Sequence, residues 1–206
     1  MVLGDYIRPG KDGNEQVIRI EKGITHPEYS AIRLDKVVVK LNNDVGLIRL
    51  REPANISSDA VAKISPLKSK SFVKKMRANE KSCWTVGWGI TNDPVIGHYV
   101  TDRLKKMRTN FVNETEDAAR GYSTYLSEGA MGVEADYKDN SCKRGSACYG
   151  DSGSPVVCKQ KGEWVVTGVV SFGNFLDDCI TGVFGVVNIQ LYYDWIQDTI
   201  NSYTPE

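Results

Sequence analysis

Short apolar runs separated by Gly, Pro, Asn and Asp recur along most of the chain and constrain its fold more than any other feature. Runs of this length, rich in β-branched residues and bounded by turn residues, are typical of β-strands. The clearest candidates cover residues 16–20, 37–41, 45–50, 84–88, 155–158, 164–172 and 182–188. The pattern predicts an all-β protein built from two packed barrels or sandwiches.

Helical spacing of apolar residues is clear only near the end of the chain, where Leu191, Trp195, Ile196 and Ile200 predict an α-helix. Residues 102–107 and 115–119 are predicted as two short helices. The Lys-rich segment 68–81 is interpreted as a linker between two halves, with a solvated surface loop as the simpler alternative.

Charge and composition exclude several classes of partner. The 26 Lys and Arg balance 26 Asp and Glu, so no basic excess exists to neutralise phosphates, and we expect no nucleic-acid partner. The chain is 41% hydrophobic and 25% charged, which is ordinary for a globular fold. No apolar run approaches the roughly 20 residues of a membrane helix, and residues 1–5 do not resemble a signal peptide. We therefore expect no membrane partner.

One loop has the composition of a nucleophile site. Ser152 has Gly150 two residues before it and Gly153 directly after it. Small neighbours let a carbonyl group approach an exposed hydroxyl, and backbone N–H groups in such a loop can stabilise the developing oxyanion. A Gly-rich turn between two strands is the alternative interpretation of this pattern taken alone.

The chain resembles the trypsin/chymotrypsin family of serine proteases in three ordered segments, residues 43–50, 83–89 and 150–155. Shorter matches occur at residues 3–5, 25–29 and 194–197. The resemblance implies two six-stranded antiparallel β-barrels, the first incomplete, followed by a C-terminal helix. It treats residues 1–206 as one truncated protease domain, with the rest of the first barrel at 1–66, the second barrel at 67–190 and the helix at 191–202.

The resemblance also implies the role of each site residue. Ser152 would be the nucleophile, the backbone N–H groups of Gly150 and Ser152 the oxyanion hole, and Asp44 the carboxylate that orients the general base. Ser171 would bond Asp44 and present backbone to the substrate chain. A turn or capping Asp before a strand is the alternative for Asp44. Ser154 differs from the Gly usual at its position.

The general base that a serine hydroxyl requires has no clear candidate in the chain. Only His26 and His98 are present, and neither lies in the motif that carries the family's catalytic His, so we expect both to be surface residues. The resemblance pairs the Asp before the nucleophile with a newly cut amino terminus, and we expect Asp151 to lack that partner. The chain is therefore predicted to be an incomplete serine protease.

By the same resemblance, Ser146 forms the floor of the specificity pocket, with Gly173 and Gly182 in its walls and Phe172 replacing the usual Trp. A neutral floor predicts a preference for apolar or aromatic residues before the cleaved bond. Two nearby acidic residues leave a preference for basic residues open as the alternative; they are Asp177 and Asp178.

The family pattern pairs Cys83 with Cys158 and Cys148 with Cys179, which predicts an oxidising, extracellular compartment. Cys142 has no partner in this pattern, which predicts either a free thiol or a shortened loop at this position. Two triplets, at residues 55–57 and 113–115, match the acceptor pattern for N-glycosylation.

An acidic loop near the start of the chain resembles the calcium loop of trypsin-like proteases. Asp5, Asp12 and Glu15 would supply hard oxygen ligands for Ca²⁺. A solvated acidic turn, neutralised by Arg8 and Lys11, is the alternative. We expect no required cofactor, with Ca²⁺ as the one candidate structural ion.

The resulting hypothesis is a secreted, monomeric serine endopeptidase that acts on polypeptide substrates and binds protein inhibitors. The lack of a catalytic His leaves two alternatives. One is a protease-like binding module without catalysis, and the other is an inactive fragment with exposed strand edges.

Overall fold

The computed structural model describes residues 1–34, 37–68, 83–93, 97–112, 129–136, 146–173 and 183–203. Its strands are β1 (Val2–Leu3), β2 (Gln16–Val17), β3 (Ile20–Thr25), β4 (Ser30–Leu34), β5 (Val37–Asn42), β6 (Gly46–Leu50), β7 (Ser65–Pro66), β8 (Cys83–Gly87), β9 (Ile90–Asp93), β10 (Gly97–Val100), β11 (Lys105–Phe111), β12 (Ala130–Ala135), β13 (Pro155–Gln160), β14 (Glu163–Gly173) and β15 (Phe184–Asn188). A 3₁₀ helix (Ile189–Tyr192) leads directly into the α-helix α1 (Tyr193–Asn201).

Six strands of the second half close into an antiparallel barrel in the order β13-β8-β11-β12-β15-β14. The barrel closes because β13 pairs with β8 on one side and with β14 on the other. β7 adds to the outside of β14 as a parallel strand. The all-β fold with a C-terminal helix, predicted from the sequence, is confirmed.

The barrel is held by a core of alternating inward side chains. β13 shows the alternation: Val156 and Cys158 are buried, while Lys159 is exposed. The fully buried members of this core include Leu67, Met131, Val133, Phe184 and Val186. Leu67 follows directly on β7, so the chain enters the barrel core at the predicted start of the second half.

The first half contains three separate two-stranded ribbons in the part that the structure describes: β1 with β2, β3 with β6, and β4 with β5. Among the described side chains of residues 1–66, only Val45 is buried. It packs with Val187, Ile189, Tyr192 and Ile196 of the second half. The described part of the first half therefore uses the core at the C-terminal helix rather than a core of its own.

The short helix predicted at residues 102–107 is wrong. Residues 105–111 form β11, whose burial alternates toward its end and which pairs with both β8 and β12. As a central strand, β11 forms backbone hydrogen bonds with a neighbour on each side. This pairing overrides the weak preference of its Lys and Arg residues for a helix. The second predicted helix, 115–119, and most of the Lys-rich segment lie outside the described residues.

Within the described residues, no helix combines the length and the hydropathy that crossing a membrane would require.

Candidate active site

Ser152 is exposed on a tight turn that two glycines make possible. Gly150 has φ +94° and Gly153 has φ +86°, both in the left-handed region that glycine adopts without a steric penalty. The Asp151 N–H donates to the Cys148 carbonyl at 3.0 Å, and the Ser154 N–H donates to the Asp151 carbonyl at 2.9 Å. These two bonds fold the chain so that the Ser152 side chain stands at the surface.

The same turn leaves two backbone donors free. In the part of the chain that the structure describes, the N–H groups of Gly150 and Ser152 donate to no other group. Both residues are exposed, so these donors face solvent or a bound molecule. An oxyanion hole needs unused backbone N–H groups near an exposed hydroxyl; here one belongs to Ser152 itself and the other to Gly150, two residues before it.

The side chain of Asp151 connects the turn to a neighbouring loop. One carboxylate oxygen accepts the Gly89 N–H at 2.9 Å, and the other accepts the Cys148 N–H at 3.0 Å. A Cβ on Gly87 or Gly89 would overlap this carboxylate, so both positions require glycine. Two backbone N–H groups satisfy the Asp151 carboxylate, and no cation pairs with it among the described residues. The expectation that Asp151 lacks an inserted amino terminus as its partner stays a prediction.

Asp44 is placed by a left-handed turn at Asn43, which has φ +49°. Asn is one of the few residues that adopt this conformation readily. Its side chain is fixed from both ends: Nδ2 donates to the Glu28 carbonyl at 2.9 Å, and Oδ1 accepts the Tyr192 hydroxyl at 2.9 Å. The fixed turn therefore sets the position of Asp44, which lies just before the start of β6. The sequence signal for this turn is the Asn residue itself, which the predicted site did not include.

A β-bulge aims Ser171 at Asp44. In the pairing of β14 with β15, Val170 lies opposite Val186 and Phe172 opposite Gly185, so Ser171 is the additional residue. Bulges of this kind redirect a side chain and are common beside functional sites. The Ser171 hydroxyl donates to Asp44 Oδ2 at 2.6 Å across 127 residues of sequence. The structure thus brings these two predicted site residues into contact.

Val170 connects this pair to the nucleophile turn. Its carbonyl accepts the Gly153 N–H at 2.8 Å, and its N–H donates to the Ser154 carbonyl at 2.8 Å. Ser152 is one residue from Gly153, and Ser171 is one residue from Val170. The turn with Ser152, the bulge with Ser171 and the carboxylate of Asp44 therefore form one connected unit.

His26 belongs to a different environment. Its Nδ1 accepts the Glu28 N–H at 3.2 Å, and its ring contacts Tyr192 edge-on at 5.3 Å and Trp195 at 4.8 Å between centroids. Among the described residues its side chain makes no hydrogen bond to Asp44 or Ser152, and its backbone N–H donates to the Val45 carbonyl at 3.0 Å. His98 lies in β10, in a two-stranded ribbon with β9.

Tyr192 gives the site a pH-dependent contact. Burial raises the pKa of its hydroxyl, and the charges of Asp44 and Glu28 raise it further. Because the pKa of Tyr192 is higher in the folded state than in the unfolded state, its protonated hydroxyl favours folding. This contribution to stability is complete below the unfolded-state pKa of about 10 and is lost as the pH rises through the folded-state pKa. We expect Tyr192 to be among the last tyrosines to ionise in an absorbance titration of the folded protein.

Tyr192→Phe is the variant for this titration. It should remove one high-pH phenolate signal and make the loss of stability above about pH 10 less steep. An unchanged titration curve in Tyr192→Phe would contradict the assignment. An Asn43→Ala variant, which removes the Tyr192 hydrogen-bond partner and keeps the phenol, serves as the matched control.

The predicted specificity residues are placed only in part. Ser146 is half-buried at the start of the segment that leads to Cys148, and Phe172 and Gly173 end β14. The Phe172 ring lies over Gly185, where any Cβ would overlap it. Gly182, together with Asp177 and Asp178, lies outside the described residues. The pocket they were predicted to form therefore stays a prediction.

Cys83 and Cys158 form a disulfide between directly opposed residues of β8 and β13. Cys148 is also disulfide-bonded. Its predicted partner, Cys179, lies outside the described residues, as does Cys142.

Two carboxylates of the acidic loop accept hydrogen bonds from the loop's own backbone. Glu15 accepts the N–H groups of Asp12 and Gly13 at 2.6 and 3.1 Å, and Asp12 accepts the Asn14 N–H at 3.1 Å. The hydrogen bond from the Asp12 N–H is the main cause that lowers the pKa of Glu15. No group of three acidic, His or Cys side chains among the described residues is placed to hold a metal. Calcium binding at Asp5, Asp12 and Glu15 stays a prediction.

Comparison with known proteins places this arrangement in a family. The chain is 30% identical to vitamin K-dependent protein C of Oryctolagus cuniculus, over 96% of this chain and 40% of that protein. It is 33% identical to transmembrane protease serine 5 of Homo sapiens, over 87% of this chain and 35% of that protein. It is 29% identical to kallikrein-8 of Homo sapiens, over 97% of this chain and 68% of that protein.

The chain therefore spans less than half the length of the first two of these relatives. The family model for trypsin matches residues 1–196, which include every element from β1 to the first turn of α1. With that match, the chain belongs to the trypsin family of serine proteases.

Proposed function

We propose that this chain is the nucleophile-bearing part of a serine endopeptidase, with Ser152 as nucleophile and Asp44 as the carboxylate that orients the base. The observation that supports this most is the 2.6 Å hydrogen bond from Ser171 to Asp44 beside the turn that exposes Ser152. A carboxylate held by a bulged residue is a positioned group, whereas a capping Asp would bond its own following backbone.

The proposed reaction uses each of these groups in turn. The Ser152 hydroxyl attacks the carbonyl carbon of the peptide bond and gives its proton to an imidazole. The N–H groups of Gly150 and Ser152 stabilise the oxyanion. The imidazolium returns the proton to the leaving amine, and water then hydrolyses the acyl group by the same path.

The imidazole must come from a residue outside this chain, since His26 is held by Tyr192 and Trp195 and His98 lies in the ribbon of β9 and β10. Asp44 has an acceptor for it: in the described residues its only hydrogen bond uses Oδ2, which leaves Oδ1 to accept an imidazole N–H. Ser171 is a positioning residue in this proposal, because it fixes the carboxylate and does not touch the reacting atoms.

Free imidazole offers a direct test. The chain alone should show no Ser152-dependent hydrolysis of peptides. Added imidazole should accelerate the acylation of Ser152 by an activated ester, such as p-nitrophenyl acetate, at least about tenfold. A positioned base contributes about 10²- to 10⁴-fold to the rate, and a freely diffusing base recovers part of this. The measurement is the burst of p-nitrophenolate as a function of imidazole concentration.

Two variants make this test specific. Ser152→Ala should abolish the imidazole-dependent burst, while His26→Phe should leave it unchanged because His26 is not the base. An imidazole-dependent burst of wild-type size in Ser152→Ala would contradict the proposal.

Polypeptide substrates and protein inhibitors are the partners that this function implies, and an extracellular location agrees with the Cys83–Cys158 disulfide. We propose an apolar or aromatic preference before the cleaved bond, from Ser146 at the pocket floor. A peptide library cleaved mainly after Lys or Arg, once the base is restored, would contradict that preference. We also propose that the chain is a monomer and requires no cofactor.

A non-catalytic binding module is the second candidate, and one observation favours it. The Asp151 carboxylate is satisfied by backbone N–H groups without any cation among the described residues, so the turn keeps its shape without an activating partner. A protein that binds a polypeptide ligand equally well as wild type and as Ser152→Ala, and shows no imidazole-dependent burst, would identify this function instead.

A further inference from the structure

The turn between β6 and β7 contains the triplet Asn55-Ile56-Ser57, an acceptor pattern for N-linked glycosylation. All three residues are exposed, and Ile56 is 56% exposed. A three-residue pattern alone is weak, because it arises often by chance. The geometry of this turn supplies the stronger argument.

The Asn55 side chain presents its amide nitrogen outward. Its Oδ1 accepts the Ser57 N–H at 3.0 Å, which fixes the rotation of the amide. Nδ2 forms no hydrogen bond with any described residue. The nitrogen that would carry the sugar is therefore both oriented and unused.

The backbone of Asn55 is fixed by a different residue, Gln16 of β2. The Asn55 N–H donates to Gln16 Oε1 at 2.8 Å, and Gln16 Nε2 donates to the Asn55 carbonyl at 2.8 Å. The side-chain amide of Gln16 therefore bonds both the N–H and the carbonyl of Asn55, as the backbone of a paired strand would. Because Nδ2 takes no part in these bonds, a group attached to it would break none of them.

The Ser57 hydroxyl completes the pattern. It forms no hydrogen bond in the described part of the chain and lies on the exposed side of the turn. The middle residue is Ile, and the acceptor pattern requires a residue other than Pro at this position. Each position of the triplet is therefore free to be recognised.

From this geometry we propose that Asn55 carries an N-linked oligosaccharide when the protein passes through the secretory pathway. In the transfer, Asn55 Nδ2 forms a bond to C1 of the first sugar of a polyprenyl-diphosphate-linked oligosaccharide. The bond between C1 and the diphosphate oxygen breaks, the diphosphate carrier leaves with the electron pair, and the amide loses one proton to a base of the transferase. The glycan would stand beside Ile56 and cover apolar surface that is otherwise exposed.

This proposal does not depend on catalysis by Ser152. It depends on secretion, for which the Cys83–Cys158 disulfide is the structural support. Failure of the imidazole test would therefore leave it untouched, and the reverse also holds.

The test is expression of the full 206-residue chain behind a cleavable secretion signal in a eukaryotic host. An Asn113→Gln background removes the second acceptor triplet, so that any shift belongs to Asn55. Peptide-N-glycosidase digestion in ¹⁸O-water, followed by peptide mass spectrometry, locates the glycan by conversion of Asn55 to labelled Asp. Both the secreted and the cell-retained protein are measured, so poor secretion does not prevent a result.

We expect most Asn55-containing peptide to carry the label, and Ser57→Ala to abolish it. Ser57→Thr, which keeps the hydroxyl, should retain it and serves as the matched control. Unlabelled Asn55 in both pools of the wild-type triplet would overturn the proposal. So would equal labelling in Ser57→Ala.

Discussion

Replacement of Cys83 and Cys158 by Ala is expected to lower the free energy of unfolding by about 4 kcal/mol, because the bond closes a long loop in the unfolded chain. The two cysteines are 75 residues apart in sequence, and both are fully buried. A loss of this size is a large share of the roughly 5–15 kcal/mol that stabilises a typical domain. The barrel core is therefore expected to be only marginally folded without the bond.

Urea unfolding followed by tryptophan fluorescence measures this effect. The same curves with a thiol reductant provide the control, since the difference between wild type and variant should then fall to the small packing loss at two buried side chains. Equal midpoints for the two oxidised proteins would show that the disulfide does not stabilise the barrel.

Asp151→Ala is expected to lower the free energy of unfolding by about 2–4 kcal/mol, because it leaves the N–H groups of Gly89 and Cys148 without an acceptor. The cavity between Gly87 and Gly89 would add to this loss. The turn that carries Gly150 and Ser152 would lose its anchor, so the imidazole-dependent burst should fall with it.

Asp151→Asn separates charge from shape in this site. Its single amide oxygen can accept one of the two N–H groups, and its NH₂ group faces the other, so we expect a loss of stability between those of wild type and Asp151→Ala. Both the free energy of unfolding and the burst are measured on each variant. Asp151→Ala with wild-type stability and a wild-type burst would contradict the anchoring role.

The sequence was most informative where one face of a strand is strictly apolar. β13, β14 and β15 lie within or close to their predicted ranges because each contains a run rich in Val. Buried and less buried residues alternate in β13, whereas the first four residues of β15 are all buried. β11 was missed because it opens with Lys-Lys-Met-Arg, and because its inward side chains include Met107 and Thr109 rather than Val, Ile or Leu. β12 was missed because Gly132 and Glu134 interrupt its apolar pattern.

The candidate site also has a part that the sequence predicts and a part that depends on the folded structure. Resemblance to a family located Ser152, Asp44 and Ser171 and implied the bond between the last two, but it did not identify the turn and the bulge that position them. The left-handed turn at Asn43 depends on a hydrogen bond from Tyr192, 149 residues away, and the bulge at Ser171 depends on its register with β15. Such long-range contacts become visible only once the strands are paired.

Peptide mapping of the protein after reaction with p-nitrophenyl acetate and imidazole tests the central claim most directly. If Ser152 is a nucleophile that lacks only its base, the imidazole-dependent acetyl group will be found on Ser152, and Asp44→Asn will reduce its amount. If that acetyl group is found on lysine or tyrosine side chains while Ser152 stays unmodified, the proposed active site is contradicted.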